Sequence, residues 1–249
     1  MTPIVLIPAR MAATRLPGKP LADIEGAPMI VRVLRQAQAA GIGPVAVAAG
    51  DPEIVAAVEA AGGRAVLTDP DLPSGSDRIL RALEVLDPQG RHDVVINLQG
   101  DIPFVAPQVV ADCADLLARE PGCDISTIVV ADSDIAERSN PDIPKAVLAM
   151  APGGRRGRAL YFTRSTLYGD GPVWLHHGVY GYRREALVRF TAAAPSPLEQ
   201  RERLEQLRAL ELGMTIWAAV IDAAPISVDN PADLERARAH ARAMTEGLR

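Results

Sequence analysis

Three cations stand close together near the start of the chain. The segment PARMAATRLPGKP carries Arg10, Arg15 and Lys19, and no Asp or Glu precedes Asp23. Arg grips a phosphate through two parallel N–H donors and Lys adds a compact point charge, so the set suits a polyphosphate. Gly18 lets the backbone come close to an anion. The segment is not a Walker A loop, since Pro20 follows Lys19, and it lacks GxGxxG spacing. A second candidate is NLQGDIP, where Asp101 follows Gly100 directly after an apolar run. One or two carboxylates, completed by phosphate and water oxygens, are the usual way to hold Mg²⁺. The third is SVDNPADL, with Asp229 just ahead of Asn230 and Pro231. Spacing alone leaves Asp229 evenly divided between a helix cap and a ligand, while Asp233 reads as a first-turn acid favouring the helix dipole.

Other segments carry weaker signals. SGSDR, Ser74–Arg78, offers two hydroxyls ahead of a helix, as an N-cap or as ligand contacts. His176 and His177 are adjacent in a strand-like stretch, so they point to opposite faces and do not readily share a metal. No HExxH and no Cys/His cluster is present, which argues against zinc, and no GxSxG supports a hydrolase nucleophile elbow. The two cysteines, Cys113 and Cys123, form no CxxC and read as buried, inert thiols of a reducing compartment.

The elements that must position these residues follow from apolar spacing. PIVLIP, Pro3–Pro8, is a short continuous apolar run, the pattern of a strand buried on both faces. Similar strands are predicted at Pro44–Ala49, Arg64–Thr68, Asp93–Leu98 and Asp124–Ala131. Helices are predicted at Pro28–Ala40, Glu53–Ala61, Ser76–Asp87 and Pro107–Arg119. This alternation implies an open, mostly parallel sheet with helices on both faces, with ligands outside the carboxyl ends of its strands. The loops after Pro8, Ala49, Thr68 and Leu98 then lie at the ligand end. The pattern changes afterwards. Lys145–Met150 and Ala159–Phe162 bracket a Gly- and Arg-rich turn and read as a hairpin. Tyr180–Arg183 reads as a strand, Ser196–Leu212 as one long helix, Thr215–Val220 as an edge strand and Pro231–Ala243 as a closing helix. The expectation is one domain over 1–249 with an insert at about 140–195.

Composition limits the partners. Of 249 residues, 48% are hydrophobic and 23% charged, which fits a globular chain and excludes a disordered one. Aromatic residues make up only 4%, too few for a platform that stacks single-stranded nucleic acid. The 26 basic and 31 acidic residues leave a net charge of −5, so a polyanion must be met by a local cluster and not by a global field. No run of 18 apolar residues occurs, and MTPIVLIPAR lacks the basic start and cleavage site of a signal peptide. No nucleic acid and no membrane insertion are expected.

Taken together, PARMAATRLPGKPLADI, SGSDR, NLQGD, ALYFTRS, HHGVYGY, SPLEQRERLEQLR and SVDNPADLERAR resemble the sugar-acid cytidylyltransferases, over roughly residues 1–243. HHGVYGY and LEQLR point to the branch acting on 3-deoxy-manno-octulosonate (Kdo). The resemblance implies a Rossmann-like nucleotidyltransferase fold with a small dimerisation subdomain. It implies Mg²⁺-dependent transfer of CMP from CTP to Kdo with release of pyrophosphate, for lipopolysaccharide assembly, by a cytoplasmic homodimer. Ala9, Arg10, Arg15, Lys19, Ser74, Gly75 and Asp101 then match nucleotide positions. Asp101 and Asp229 match metal carboxylates, and together with Arg15 and Lys19 they are the expected catalytic set. Gln99, Arg164, His176, Tyr180, Glu205 and Gln206 match the sugar-acid site. Three departures stand out. Ile102 replaces the Glu usual after QGD. Ala48-Ala49-Gly50-Asp51 replaces Ala-Thr-Asp, with Asp51 a substitute one position on. Leu72-Pro73 replaces the His ahead of SGT, and Ser76 its Thr. Other acidic sugars such as an acylneuraminate or 8-amino-Kdo, a glycosyltransferase, or a silent nucleotide binder are the alternative readings.

Overall fold

The computed structural model describes residues 1–12, 15–132 and 135–246, so Ala13 and Thr14 of the first loop fall outside the described residues. The chain runs β1 (Pro3–Ala9), a 3₁₀ turn (Lys19–Leu21), β2 (Asp23–Ile24), β3 (Ala27–Pro28), α1 (Met29–Ala39), β4 (Val45–Ala49), α2 (Pro52–Ala60), β5 (Ala65–Leu67), α3 (Gly75–Leu86), β6 (Val94–Leu98) and α4 (Pro107–Arg119). It continues with β7 (Ile125–Asp132), α5 (Ile135–Ser139), β8 (Lys145–Met150), β9 (Arg156–Thr163), β10 (Val173–Arg183), α6 (Arg184–Ala192), α7 (Pro197–Glu202), α8 (Gln206–Glu211), β11 (Ile216–Ile221) and α9 (Pro231–Glu246). Two compact units result. The first comprises Thr2–His92, Asn97–Val110 and Pro225–Arg249; the second comprises Asp93–Ile96 and Ala111–Ala224, together with Met1. The expected insert at 140–195 falls wholly within the second.

In the first unit β1 runs parallel to β4, from Val5 opposite Val45 to Ala9 opposite Ala49, and β4 runs parallel to β5. Ile4 to Ala9 are all buried, as the unbroken apolar run requires of a strand covered on both faces. On α1 the buried residues include Met29, Ile30, Val33, Leu34 and Ala37, the helical spacing read from the sequence. Parallel strands bring their carboxyl ends to one edge, and backbone bonds tie the exits together. Gly50 N–H donates to Ala9 O (2.8 Å) and Thr68 N–H to Ala49 O (2.8 Å). Gly100 is required by close approach, since a Cβ there would lie 2.9 Å from the Pro8 carbonyl oxygen. A separate core of Ile24, Met29, Val228, Leu234, Ala237 and Ala241 packs Leu16, Ala22 and Phe104 against α9. It anchors the first loop to the C-terminal helix, more than 200 positions away in sequence.

The second unit is mainly antiparallel. β10 pairs with β7, β7 runs parallel to β11, β11 pairs with β9 and β9 with β8. β8 also pairs with β10, through Ala146–Trp174 and Lys145–Leu175, so the series of pairings closes on itself. Three expectations are corrected here. β11 is an inner strand and not an edge, because it joins β7 on one side and β9 on the other. The expected helix over Ser196–Leu212 is two short helices. Arg203 takes a left-handed conformation (φ 56°, ψ 46°) and ends α7. Glu199 both completes the capping box with Ser196 and binds Arg208 through Nε (2.7 Å) and Nη2 (2.6 Å), which folds α8 back on α7. No glycine or proline marks that break, so apolar periodicity runs straight through it. β10 is also far longer than Tyr180–Arg183, with a register irregularity between His177 and Tyr180, and the sequence reading did not anticipate α6.

Candidate active site

The first unit assembles its ionic site at the carboxyl edge of β1. Gly18, left-handed at φ 69°, opens the 3₁₀ turn, with Pro20 at its start. Leu16 and Ala22 seat on the core of α9, which fixes where Lys19 begins. Val228 N–H donates to Asp101 O (2.9 Å), and this backbone bond sets Asp229 beside Asp101. Lys19 Nζ lies 2.8 Å from Asp101 Oδ2 and 3.1 Å from Asp229 Oδ1, with its side chain 15% exposed. Arg15 Nη2 reaches Asp229 Oδ1 at 3.3 Å and is largely exposed.

Asp229 does not cap α9. Asp233 N–H donates to Asn230 Oδ1 (3.0 Å), so Asn230 supplies the cap. The Asp229 N–H donates to Asp233 Oδ2 (2.9 Å), which leaves the Asp229 carboxylate for Lys19, Arg15 and the Ser227 hydroxyl. Partial burial pushes the Asp229 carboxyl up, but Lys19 and then Arg15 outweigh it and hold the group below the ordinary carboxylate range. Two carboxylates on one ammonium form a hard-oxygen pair. Among the described residues no cluster of three or more His, Cys, Asp or Glu could hold a metal, so an ion here needs further oxygens from elsewhere. Phosphates and water supply those for Mg²⁺, so the donor set fits.

A cavity of about 310 Å³ opens beside this cluster, lined in part by Ala9, Arg10, Lys19, Ser74, Gly75, Gln99 and Asp101. The fold thus gathers seven predicted residues from three loops. Ser74 accepts a bond from Asp77 N–H and caps α3, yet it also lines the cavity, so cap and wall are one residue. Gln99 Nε2 donates to Asn97 Oδ1 (3.0 Å).

The sequence did not single out Arg78, and it offered Asp51 only as a substitute one position beyond the usual acid. Arg78 is buried (2% exposed) and lines the cavity; it donates to Thr68 Oγ1 (2.6 Å), Asp69 O (2.9 Å) and Pro70 O (3.1 Å). Burial, then Arg10, lowers its pKa, against Asp51 and Asp69. Asp51 Oδ2 accepts from Met11 N–H (2.7 Å), pinning the residue after Arg10. The signal was present in SGSDR and in the replaced Ala-Thr-Asp segment. Gly50 is part of it, because a Cβ there would lie 2.9 Å from Arg78 Nη1 and 3.1 Å from Arg10 Cβ. Ile102, which stands in place of an acid, is buried.

The remaining predicted residues lie in the second unit, where two uncharged rings stand among charged groups. His176 is 6% exposed; its Nε2 sits 2.9 Å from Thr127 Oγ1, and its ring packs edge-on to Phe162 and tilted to Tyr180. Burial, with His177 adding to it, lowers the His176 pKa to about 3, and burial takes His177 to about 4, so both rings are uncharged at neutral pH. Burial, then Tyr182 and Glu205, raises the Tyr180 phenol, which stays protonated. Gln206 is 5% exposed, and its Nε2 is buried with no partner among the described residues. Such an orphan donor suits a ligand oxygen. Glu205 precedes α8, with Arg208 at 3.8 Å. Arg164 Nη1 donates to the carbonyls of Pro141 (2.9 Å) and Asp142 (3.0 Å). Both cysteines are buried, and burial pushes their thiols up, to about 12 for Cys123.

Residues 4–216 match the family described as Cytidylyltransferase. A 3-deoxy-manno-octulosonate cytidylyltransferase of Parvibaculum lavamentivorans is 58% identical over 95% of this chain and 92% of its own length. One from a Bradyrhizobium species is 59% identical over 94% and 95%. A solved CMP:2-keto-3-deoxy-manno-octonic acid synthetase complexed with CTP superposes with a TM-score of 0.90 at 36% identity, covering 98% of this chain and all of that one. A nucleotidyl transferase from Methanothermobacter, 17% identical with a TM-score of 0.67, shares the fold alone. The match across most of the chain places the protein in the cytidylyltransferase family.

Proposed function

We propose that this chain transfers CMP from CTP to the anomeric hydroxyl of Kdo, releasing pyrophosphate. The observation that carries the reading is Lys19 held between Asp101 and Asp229 beside a cavity that also presents Arg10. The high-identity relatives share that activity by name, and the solved relative binds CTP.

Attack of a hydroxyl on the α-phosphorus, in line with departing pyrophosphate, calls for positioning and charge neutralisation more than covalent help. Asp101 and Asp229 would hold a divalent cation, Mg²⁺ in our reading, which when bound offsets phosphate charge. Lys19 and Arg15, released from those carboxylates, then face the anionic leaving group. Arg10 grips the triphosphate, with Ala9, Ser74 and Gly75 lining its cavity and Asp51 holding the adjoining backbone. In the first unit Gln99 lines the cavity, and in the second unit Arg164, His176, Tyr180, Glu205 and Gln206 receive the sugar acid. Arg164 meets its carboxylate, the neutral His176 and the protonated Tyr180 act as hydrogen-bonding groups, and the Gln206 amide donates its unused hydrogens. No side chain need act as a dedicated base. The chain works as a cytoplasmic homodimer through the β8–β9 hairpin, and none of its described helices is long and apolar enough to cross a membrane.

The test is pyrophosphate release with CTP against a panel of sugar acids. Release with Kdo and not with N-acetylneuraminate is expected. Release with neither overturns the transferase reading, and a preference for N-acetylneuraminate overturns the sugar assignment.

A further inference from the structure

A buried lysine of the second unit has no part in the chemistry above. Lys145 is fully buried, at 0% exposed. It opens β8 where the pairings close, opposite Thr163 of β9 and Leu175 of β10. Its Nζ donates to Asn140 O (2.7 Å) and to Arg164 O (2.9 Å). Burying an ammonium is costly unless its donors are satisfied, so a lysine in this place must do more than fill volume. Burial first, then Arg164, draws its pKa down, and Glu137 draws it up.

The backbone of Arg164 is held on its amide side as well. Arg164 N–H donates to Glu202 Oε2 (3.4 Å), and Glu202 also accepts from Thr163 Oγ1 (3.1 Å) and Tyr161 Oη (3.3 Å). The Arg164 guanidinium meanwhile reaches the carbonyls of Pro141 and Asp142, in the loop whose Asn140 carbonyl Lys145 also holds. One ammonium therefore fixes both the root of the guanidinium and the loop on which it rests.

We propose that Lys145 is a positioning residue for the sugar acid, acting through Arg164. It holds the Arg164 carbonyl and the 140–142 loop in register, so that the guanidinium needs only to exchange two carbonyl partners for the substrate carboxylate. The proposal rests on the reading that Arg164 meets the sugar acid. A pre-set side chain loses less freedom on binding, and a misplacement of about 1 Å is enough to weaken recognition by one to two orders of magnitude.

The experiment is a double-mutant cycle on the full chain, with Lys145→Met, Arg164→Ala and the pair, read as KM for Kdo and KM for CTP. Lys145→Met is expected to raise the Kdo KM about tenfold with the CTP KM unchanged, and to add nothing in the Arg164→Ala background. Equal rises in both KM values, or an undiminished effect in that background, mark Lys145 as a general structural residue and overturn the proposal. If Lys145→Met does not fold, Lys145→Gln, shorter and uncharged, carries the same expectation, and an unchanged Kdo KM in that variant overturns it. Arg164→Ala with an unchanged Kdo KM fails the underlying reading instead. Arg164→Ala with a raised Kdo KM beside a silent Lys145 variant fails the proposal alone.

Discussion

Lys19 in the first unit and Lys145 in the second are the same side chain in opposite settings. Lys19 lies between two carboxylates at 2.8 and 3.1 Å, with part of its surface open to a cavity. Lys145 is sealed and donates to two backbone carbonyls at 2.7 and 2.9 Å. The partners of Lys19 are ions, and ions exchange: a phosphate can take the ammonium, and a divalent cation can take the carboxylates. The partners of Lys145 are peptide dipoles built into the fold, out of reach of any competing ion. A lysine next to mobile charge serves as a ligand, and a lysine on fixed dipoles serves as a strut.

The first way to break this comparison is to remove an exchangeable carboxylate. Asp101→Asn is expected to cut turnover about a hundredfold or more while the melting temperature stays put, because a ligand is lost and no packing is. Pyrophosphate release at saturating substrates checks it, and normal Mg²⁺-dependent activity would remove Asp101 from the metal site. Lys19→Ala is next. It is expected to raise the CTP KM about ten- to hundredfold, in line with the roughly 1.5–3 kcal/mol of a hydrogen bond to a charged group, with a smaller change for Kdo. Equal rises for both substrates would contradict a phosphate role.

The smallest effect concerns protons. The Asp229 carboxyl is held low in the folded chain by Lys19 and Arg15. A depressed carboxyl stabilises the fold in full above its unfolded pKa, and the contribution is lost as pH falls through the lower folded value. In Lys19→Ala the Asp229 pKa is expected to rise, so the loss begins at a higher pH. Carboxyl-carbon NMR titration of the two proteins reads the shift directly. An Asp229 titration that does not move would assign its depression to Arg15 and the Ser227 hydroxyl.

Much of the first unit is legible in the sequence. PIVLIP demands a doubly covered strand, and such a strand in an α/β sequence places the next loop at the ligand edge; Arg10 and Lys19 line the cavity found there. The second unit was read less well, for identifiable reasons. Arg203 breaks a helix without a glycine, held by the Glu199–Arg208 pairing, which spans nine positions and leaves no periodic trace. β11 lies late in the chain but inside its sheet, because strand order depends on pairing partners and not on chain order. Arg78 was visible in SGSDR, but only its burial against Thr68 and Asp69 marks it as a wall of the cavity.

The sequence by itself determined the chemistry on offer: a cationic loop free of acids, an aspartate directly after an apolar run and another ahead of a helix, and a net negative chain that must concentrate its positive charge locally. Residue type and short-range spacing suffice for that, since strands, caps and phosphate grips are local devices. Only the tertiary structure decided that Asp229 is a partner of Lys19 and that Asn230 takes the cap. That choice depends on the Val228–Asp101 bond and on the core joining Leu16 to α9, contacts between segments more than a hundred residues apart. Hydrophobic burial brings such segments together, and burial is a property of the folded chain as a whole.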